Sequence, residues 1–505
     1  MTLIIINAKR RGFSFLDCLS EDIDMVGRIK EVAELLELYA GDKAELVALY
    51  GRRRVGKTYL IDETFRDKIT FRHAGLSPVE VNNDQQRNQP LKKQLEAFYY
   101  SLITQGMKKS HCPKDWLEAF FMLEMHLQSI DSGARQVIFL DELPWMDTPK
   151  SGFITGFEAF WNGWACHRNI MVIISGSANS WIENELLNNH GGLYGRVTYE
   201  IKLSPFTLKE TEMLLKERGI NLSRYDIVQS YMIFGGIPFY LNYFKRGNSL
   251  AQNVDEMFFI KGAKLSQEYD RLFSSIFTNP DSAKTIVKLL SGRSKGYTRK
   301  EIVSEAGLSD GGTLSKSLNA LIASDFIIKY NPFGCSKREE YYKLVDPFCI
   351  FYLRFVENKD SIVNGFWLQN IDAQPIVSWR GYAFENVCFN HITEIKRALG
   401  ISGIYSSESA WTKMGDGDGE RGTQIDLLIL RKDNVVNMCE MKFYSDVFMV
   451  DKDYEKTLRH RQTALYEKLP RKSTIHNTLI TTYGIKDNEY RWSFERVITL
   501  EDLFA

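Results

Sequence analysis

Residues 46–58 read Leu-Val-Ala-Leu-Tyr-Gly-Arg-Arg-Arg-Val-Gly-Lys-Thr, and this stretch is the strongest structural signal in the first half of the chain. Its first five residues form a short apolar run that predicts a buried β-strand, and a helical pattern follows Thr58. Between them stands Gly-x-x-x-x-Gly-Lys-Thr, whose glycines let successive backbone N–H groups turn toward phosphate oxygens. The N-terminus of the following helix adds a favourable dipole. The stretch therefore predicts a phosphate-binding loop.

The predicted ligand of this loop is ATP with Mg²⁺. Lys57 is expected to bridge the β- and γ-phosphates, and Thr58 is expected to ligate the metal ion. Glycine-rich turns occur in other settings, but an eight-residue match between a strand and a helix favours phosphate. The residues assigned to the nucleotide here are Gly51, Arg52, Arg53, Arg54, Val55, Gly56, Lys57, Thr58 and Tyr59.

Two further apolar runs predict strands that end in polar residues. Residues 137–140 lead into Asp141, expected to hold the Mg²⁺ shell, and Glu142, expected to orient and deprotonate the attacking water. Residues 170–174 lead into Ser175-Gly176-Ser177. Ligands of open α/β sheets bind at the carboxyl ends of the strands, so Ser177 is the favoured sensor of the γ-phosphate, with Ser175 second.

The order of these motifs resembles the AAA+-like archaeal/bacterial ATPase family, a signalling branch of P-loop ATPases. The motifs are Val26-Gly27-Arg28 with Glu31, the phosphate loop, Leu140-Asp141-Glu142, Ser175-Gly176-Ser177 and Tyr194-Gly195-Arg196. The resemblance implies a parallel-sheet α/β core at 20–205, a helical lid at 206–278 and, in many members, a C-terminal nuclease-like domain. It also implies that nucleotide state acts as a conformational switch.

Two residues take their predicted roles from this resemblance. Pro238 lies in Gly235-Gly236-Ile237-Pro238, which is similar to the Gly-x-Pro signature of the lid near the adenine. Arg196 matches a Gly-Arg motif and could stabilise transition-state charge. A surface or interface salt bridge is an equally good interpretation of Arg196. Whether it acts in its own subunit or on a neighbour in a homo-oligomer is left open.

The middle of the chain, 279–356, predicts a winged helix. Three short amphipathic helices are expected at 282–290, 298–306 and 313–324, the second started by a Thr298-x-x-Glu301 capping box. Strands at 326–330 and 341–344 then flank a loop. Such a module can place its third helix in a DNA major groove, with Lys316, Lys329, Lys337 and Arg338 meeting phosphates. The alternative is that it only packs on the nucleotide domain.

A polar stretch at 357–364 separates a last α/β domain, 365–505. Residues 424–430 and 435–443 predict two strands joined by Lys432-Asp433-Asn434. A hairpin centred on Asp433 places Asp426 opposite Glu440, and Lys442 shares the face of Glu440. Two facing carboxylates in apolar strands repel unless a cation binds them. The pattern therefore predicts a divalent metal ion with an activated water.

This Asp…Glu-x-Lys pattern resembles the PD-(D/E)-x-K nuclease superfamily, although Ile425 stands where a proline is expected. The resemblance implies that Asp426 and Glu440 ligate Mg²⁺ or Mn²⁺ and that Lys442 positions the water. Glu385 would be the helix-borne acid, and Gln462-x-x-x-Tyr466 is similar to an auxiliary motif of some of these nucleases. The alternative is an exposed hairpin in which Lys442 forms a simple salt bridge.

The composition of the 505 residues is that of an ordinary globular protein, with 44% hydrophobic and 25% charged residues. Basic and acidic residues number 64 each, so net charge does not indicate a nucleic-acid partner. Seven cysteines without a C-x-x-C pair argue against a zinc site or disulfide framework and fit a reducing cytoplasm. No apolar run approaches the roughly 20 residues of a membrane helix, so no membrane partner is expected.

The sequence thus predicts an ATP-binding and ATP-hydrolysing switch coupled to a metal-dependent nuclease-like domain that acts on DNA. A second interpretation is a switch whose nuclease-like domain is inert and binds partners or DNA. A third, a transcription regulator that uses the winged helix, has no feature that demands it.

Overall fold

The computed structural model describes residues 25–77, 90–177, 179–188, 191–277, 279–335, 339–357, 364–413 and 422–505. The chain forms two compact units. The first consists of Met1–Pro205 with Asp270–Pro280, and the second of Phe206–Tyr269 with Asp281–Ala505. The chain therefore passes between the units at three places. Within the described residues, no helix combines the length and the apolar character needed to span a membrane.

A five-stranded sheet forms the centre of the first unit. Its strands are β1 (Glu45–Tyr50), β2 (Ile69–Ala74), β3 (Gln136–Asp141), β4 (Ile170–Gly176) and β5 (Tyr199–Lys202). Their order is β2-β3-β4-β1-β5, and every pairing is parallel. Parallel sheets are covered on both faces, which explains why all seven residues of β4 are buried. The predicted α/β fold with a parallel sheet is confirmed.

Helices cover this sheet and supply an aromatic core. They are α1 (Ile29–Ala40), α2 (Lys57–Phe65), α3 (Pro90–Thr104), α4 (Trp116–Ser129), α5 (Leu143–Met146), α6 (Phe153–Gly163) and α7 (Asn179–Trp181). Asp115 caps α4 by accepting a hydrogen bond from the Glu118 amide. Trp116 of α4 meets Phe153 of α6 edge-on, with ring centroids 4.9 Å apart. Such packing fixes the two helices against each other.

The second unit begins with helices. These are α8 (Leu208–Glu217), α9 (Arg224–Phe234), α10 (Pro238–Leu241) and α11 (Leu250–Phe258). Thr207 and Glu210 form a capping box at the start of α8, and Ser249 and Gln252 form another at α11. Helix α12 (Glu268–Ile276) contains the passage of the chain from the second unit to the first.

The following segment alternates short helices with a small antiparallel sheet. Its elements are α13 (Pro280–Leu290), β6 (Tyr297–Thr298), α14 (Arg299–Ala306), α15 (Gly312–Ala323), β7 (Ile327–Tyr330), β8 (Tyr341–Leu344) and α16 (Pro347–Phe355). The strand order is β6-β8-β7. The predicted capping box of Thr298 and Glu301 is present, and Gly307 ends α14 with a φ of 65°.

The C-terminal part contains a mixed five-stranded sheet. Its elements are α17 (Phe366–Gln369), α18 (Gln374–Asn390), α19 (Ile392–Ala398), β9 (Ser406–Lys413), β10 (Thr423–Arg431), β11 (Val435–Lys442), α20 (Lys452–Tyr466), β12 (Thr474–Thr481), β13 (Arg496–Ile498) and α21 (Leu500–Leu503). The order is β13-β12-β11-β10-β9. Strands β9, β10 and β11 are antiparallel, whereas β11, β12 and β13 are parallel.

The β10–β11 hairpin has the predicted register. Leu427 pairs with Cys439 and Leu430 with Val436, so the next position places Asp426 opposite Glu440. The turn is centred on Asp433, because each pair is symmetric about that residue. The turn and the register of the hairpin are as predicted, and the facing of the two acids follows only by extending that register one residue beyond its last pair.

Candidate functional site

The phosphate loop is shaped by its two glycines. Gly51 follows β1 with a φ of 152°, and a Cβ atom there would lie 2.2 Å from the carbonyl oxygen of Leu203. Gly56 has a φ of 95° and precedes α2. A side chain would clash at the first position and strain the backbone at the second. The glycine pattern is therefore required by the backbone of this loop.

Lys57 is buried at the start of α2, where only 5% of it is exposed. Its Nζ donates to the carbonyl oxygen of Gly51 at 2.9 Å and to the Ser177 hydroxyl at 2.9 Å. Burial lowers the pKa of Lys57, while the charges of Glu142 and Asp141 act in the opposite direction. A buried ammonium among carbonyl oxygens and acids is suited to an anionic ligand.

Asp141 is held by donors from three directions. The Thr58 hydroxyl donates to its Oδ2 at 2.7 Å. The Ser175 hydroxyl and the backbone amide of Glu142 both donate to its Oδ1. These contacts follow from the sheet register, because Leu140 of β3 pairs with Ile174 of β4 and the next position brings Asp141 beside Ser175. The carboxylate is thus fixed next to the phosphate loop.

Glu142 has an unusual backbone conformation for a residue other than glycine. Its φ and ψ are both 47°, in the left-handed region, where a side chain costs on the order of 1–3 kcal/mol. Its carboxylate accepts the Ser177 hydroxyl at 2.5 Å and the Ser177 amide at 3.0 Å. Ser177 therefore connects Lys57 to Glu142, the two residues predicted to bind phosphate and to activate water.

Two residues with no assigned role support the loop. Arg28 is buried and donates to the carbonyl oxygens of Ser204 at 2.6 Å and Val55 at 3.4 Å. The sequence had marked Arg28 only as part of a motif. Asn179 accepts the Gly51 amide at 2.9 Å, and no local pattern in the sequence indicated it. Both contacts join segments far apart in the chain and restrain the loop.

The remaining predicted nucleotide residues are placed as follows. Arg196 is exposed in a turn before β5, and its amide donates to the Leu193 carbonyl at 3.0 Å. The Arg53 guanidinium lies 5.9 Å from the ring centre of Trp145. Tyr59 is exposed on α2. Pro238 begins α10 in the second unit. The roles of Arg196 and Pro238 stay predictions.

The geometry of the first site fits a nucleoside triphosphate and a magnesium ion. The buried ammonium of Lys57 favours an anionic ligand. Beside it the loop leaves open space, because a Cβ atom added at Gly56 would meet no other atom within 4 Å. The Thr58 hydroxyl and the Asp141 carboxylate supply adjacent oxygens of the kind that Mg²⁺ prefers.

A second cluster of charged side chains surrounds Glu440 on β11, which is only 1% exposed. The Tyr454 hydroxyl donates to its Oε2 at 2.8 Å, and Lys442 Nζ lies 3.4 Å from the same oxygen. Arg461 donates to its Oε1. Both carboxylate oxygens therefore have cationic or hydroxyl partners. Tyr454 and Arg461 lie on α20, and the sequence had given neither residue a role.

Glu385 of α18 is close enough to this cluster to feel the charges of Asp426, Lys442 and Glu440, and its role as the helix-borne acid stays a prediction. Burial raises its pKa to about 8, and the charge of Asp426 contributes to the rise. Lys343 and Lys442 oppose this effect. Lys343, from β8, is 8% exposed and lies 5.7 and 5.3 Å from the ring centres of Tyr382 and Phe389. The sequence had missed this lysine.

This arrangement does not fit a metal ion between Asp426 and Glu440. Within the described residues, no group of three or more His, Cys, Asp or Glu side chains is placed to hold one. Glu440 is engaged by three donors, and Asp426 Oδ1 accepts from the side-chain amide Nε2 of Gln424 at 2.7 Å. The described residues therefore do not support the metal ion that the sequence predicts here. In the auxiliary motif, Tyr466 accepts the Ile475 amide at 3.4 Å.

The predicted wing packs on the C-terminal sheet. The Phe333 amide donates to the Ala410 carbonyl of β9 at 2.9 Å, and the Ser409 hydroxyl donates to the Asn331 carbonyl at 3.2 Å. Lys329 pairs with Glu340 at 3.1 Å. Lys316 is exposed on α15. The predicted phosphate contacts Lys337 and Arg338 lie outside the described residues.

Residues 25–244 match a family model described as an ATPase domain predominantly from Archaea. An uncharacterized protein of Methanocaldococcus jannaschii is 25% identical over 458 residues, which cover 89% of this chain and 92% of the relative. A Walker-type ATPase of Pyrococcus abyssi is similar in structure, with a TM-score of 0.46 and 17% identity over 66% of this chain and 97% of its own. The ORC2 protein of Aeropyrum pernix is similar in structure with a TM-score of 0.40 and 11% sequence identity. The match covers 65% of this chain and 93% of the ORC2 chain.

Proposed function

We propose that the ATPase domain at residues 25–244 is a nucleotide-dependent switch for the C-terminal domain of the same chain. The observation that carries the proposal is the connection from Lys57 through Ser177 to Glu142. A bound phosphate attracts the Lys57 ammonium and so removes its hydrogen bond to the Ser177 hydroxyl. The same hydroxyl donates to the Glu142 carboxylate, so its hydrogen bond to Glu142 changes as well. Phosphate binding at the loop therefore changes the hydrogen bonding of Glu142, the carboxylate proposed to activate water.

Each residue of the first site has a proposed task. The amides of Gly51–Thr58 and the Lys57 ammonium bind the β- and γ-phosphates. Thr58 and Asp141 hold Mg²⁺, which when bound supplies positive charge against the phosphate oxygens. Glu142 orients the attacking water and takes its proton. Arg196 stabilises charge on the transferred phosphoryl group, in its own subunit or in a neighbour. Pro238 is the residue that the resemblance assigns to the adenine.

For the C-terminal domain we propose a nuclease-like site that acts on DNA. Asp426, Glu440 and Lys442 come from one hairpin, and Glu385 comes from α18, earlier in the chain, as in the superfamily that the sequence resembles. The middle segment has the element order expected of a winged helix, from α13 to β8. The exposed Lys316 on its third helix is the proposed phosphate contact.

A second candidate is an inert nuclease-like domain that binds a partner or DNA without cleaving it. The pairing of Glu440 with Arg461, Tyr454 and Lys442 favours it, because a carboxylate satisfied by protein donors has fewer oxygens left for chemistry. The two candidates share the ATPase switch and differ only in whether the cluster cleaves.

Cleavage of single- and double-stranded DNA with Mg²⁺ or Mn²⁺, with and without ATP, tests the proposal. The variants are Lys57→Ala, Lys442→Ala and Glu440→Ala, with the exposed Lys456→Ala as the matched control. We expect cleavage by the unmodified chain that responds to ATP and is lost in the Lys442 and Glu440 variants. Cleavage that responds to ATP in the Lys57 variant would contradict the switch. No cleavage by any protein would favour the inert domain.

A further inference from the structure

Two glutamine side chains bind the backbone along the outer side of β2, an edge strand of the parallel sheet. An edge strand presents a row of backbone N–H and C=O groups that no neighbouring strand pairs with. Gln105 accepts the Arg72 amide on Oε1 and donates from Nε2 to the Arg72 carbonyl, both at 2.8 Å. Gln94 forms the same pair of bonds with Leu76, at 3.0 and 2.9 Å. Each glutamine thus takes the place of a neighbouring strand at one residue.

Gln94 also binds the segment that follows β3. Its Nε2 donates to the Trp145 carbonyl at 2.8 Å, across 51 positions of the chain. The third contact of Gln105 goes instead to the Ser101 carbonyl of α3, at 2.8 Å. Gln94 is 1% exposed, so water does not compete for its hydrogen bonds. Gln94 therefore connects the end of β2 to the segment around Trp145.

Trp145 belongs to a turn that begins at Glu142. The Trp145 amide donates to the Glu142 carbonyl at 2.9 Å, which closes the turn. The Glu142 carbonyl oxygen also lies against Gly75, because a Cβ atom added there would be 2.8 Å from that oxygen and 3.1 Å from the Trp145 Cβ. The Gly75 amide donates to the Asp141 carbonyl at 3.0 Å. Gly75 and the Gln94 side chain therefore both restrain this turn.

The left-handed backbone of Glu142 requires such restraint. A residue other than glycine keeps a φ and ψ of 47° only where its surroundings disfavour the ordinary conformations. The Glu142 amide is bound to Asp141 Oδ1 at 3.0 Å, and its carbonyl is bound within the turn. Backbone conformation sets the direction of the side chain, and the Glu142 carboxylate meets the amide and hydroxyl of Ser177. The position of this carboxylate thus depends on the turn.

We propose that Gln94 and Gly75 are positioning residues that hold the Glu142 backbone in its left-handed conformation and thereby direct its carboxylate toward the attacking water. The inference rests on the proposed role of Glu142 and adds the residues that make this role possible. Gln94 acts through the Trp145 carbonyl, and Gly75 acts by leaving room for the Glu142 carbonyl. Loss of either restraint should impair turnover and spare ATP binding.

Steady-state ATP hydrolysis by the full chain tests the proposal, together with ATP affinity by calorimetry. The variants are Gln94→Met, which keeps the length of the side chain and removes its amide, and Gly75→Ala. Gln105→Met is the matched control, because Gln105 binds the β2 backbone in the same way and its third contact stays within α3.

We expect kcat to fall about tenfold to a hundredfold in Gln94→Met and Gly75→Ala, while KM and the affinity for ATP stay close to those of the unmodified chain. Gln105→Met should lower the temperature of thermal unfolding and leave kcat unchanged. An unchanged kcat in Gln94→Met, or an equal fall of kcat in Gln105→Met, would overturn the proposal.

A double-variant cycle shows whether Gln94 acts through Glu142. In the Glu142→Gln background, Gln94→Met should lower the rate of single-turnover phosphate release no further. A further fall by the factor seen in the unmodified background would assign Gln94 to another step and overturn the proposal. Should Gln94→Met not fold, Gly75→Ala is read in the same two backgrounds, and the same outcomes decide.

The proposed role of Glu142 and the positioning by Gln94 and Gly75 can fail separately. Hydrolysis at the unmodified rate in Glu142→Gln contradicts the proposed role of Glu142 and, with it, the inference. Loss of turnover in Glu142→Gln with an unchanged kcat in both Gln94→Met and Gly75→Ala contradicts the inference alone.

Discussion

The Thr58 hydroxyl donates a hydrogen bond of 2.7 Å to the Asp141 carboxylate, although the two residues are 83 positions apart. This contact ties the first turn of α2 to the end of β3, two elements that approach each other only because β1 and β3 both flank β4 in the sheet. It places a hydroxyl and a carboxylate oxygen together beside the buried ammonium of Lys57.

Glu142→Gln should leave ATP binding close to that of the unmodified chain and lower the hydrolysis rate about 10²- to 10⁴-fold, because the amide cannot take a proton from water. Phosphate release and nucleotide binding by calorimetry are the two measurements. Glu217→Gln, the same change at an exposed position of α8, is the control. Turnover at the unmodified rate in Glu142→Gln would remove Glu142 from the mechanism.

Replacing the two serines at the carboxyl end of β4 should have two different effects on ATP hydrolysis. Ser177→Ala removes the hydroxyl between Lys57 and Glu142 and should lower the maximal hydrolysis rate more than ATP affinity. Ser175→Ala removes a donor to Asp141 and should raise the Mg²⁺ concentration needed for half-maximal activity. Hydrolysis rates across a range of Mg²⁺ and ATP concentrations measure both. Identical profiles for the two variants would contradict these separate roles.

Gly51→Ala should destabilise the first unit by about 1–3 kcal/mol, because the added Cβ would lie 2.2 Å from the Leu203 carbonyl oxygen. The loop has to shift, so nucleotide affinity should fall as well. Thermal unfolding and calorimetry check the two effects. Gly163→Ala is the control, since a Cβ there would meet nothing within 4 Å. A fully stable Gly51→Ala chain with normal affinity would show that the close approach is unimportant.

Acid should weaken the packing of α8 on the C-terminal part of the second unit. His391 accepts the Leu208 amide on Nε2 at 3.0 Å, and its Nδ1 lies 2.8 Å from the Val387 carbonyl, so the ring is neutral with its proton on Nδ1. Burial lowers the pKa of His391. The unfolded chain, with a histidine pKa of about 6.5, therefore binds the proton more readily than the folded chain.

The stability contributed by neutral His391 is present above about pH 6.5 and is lost as the pH falls below that value toward the lower folded-state pKa. Thermal unfolding at mildly alkaline and mildly acidic pH should show a larger drop for the unmodified chain than for His391→Gln. His167→Gln, at an exposed position, should behave like the unmodified chain. An equal drop in His391→Gln would assign the acid sensitivity to other groups.

The sequence predicted the features that depend on neighbours in the chain. The phosphate loop is contiguous, so Gly51, Lys57 and Thr58 could be placed before the structure was known. The facing of Asp426 and Glu440 could also be predicted, because a hairpin fixes its register from its turn. In both cases the distance along the chain is short and the backbone geometry is restrictive.

What the sequence missed depends on packing between distant elements. Asn179 reaches Gly51 across 128 positions, and Lys343 approaches Glu385 from a strand of another segment. The partner of Glu440 is the clearest case. Repulsion between two acids predicted that a cation would be present, but only the packing of α20 shows that Arg461 contacts Glu440. Charge patterns predict the need for a counter-ion and leave its identity open.

Because the chain passes between the two units at three places, neither unit can be produced by a single truncation. A fragment that stops at residue 205 lacks 270–280, which belongs to the same unit and includes the buried Leu272 and Phe273. Such a piece would expose an apolar surface and aggregate. A single cut at the 205/206 junction would free residues 1–205 from any covalent link, while 270–280 of the same unit would stay joined to the second unit at 269/270 and 280/281. Truncation studies of this chain therefore need internal excision and religation rather than a single stop codon.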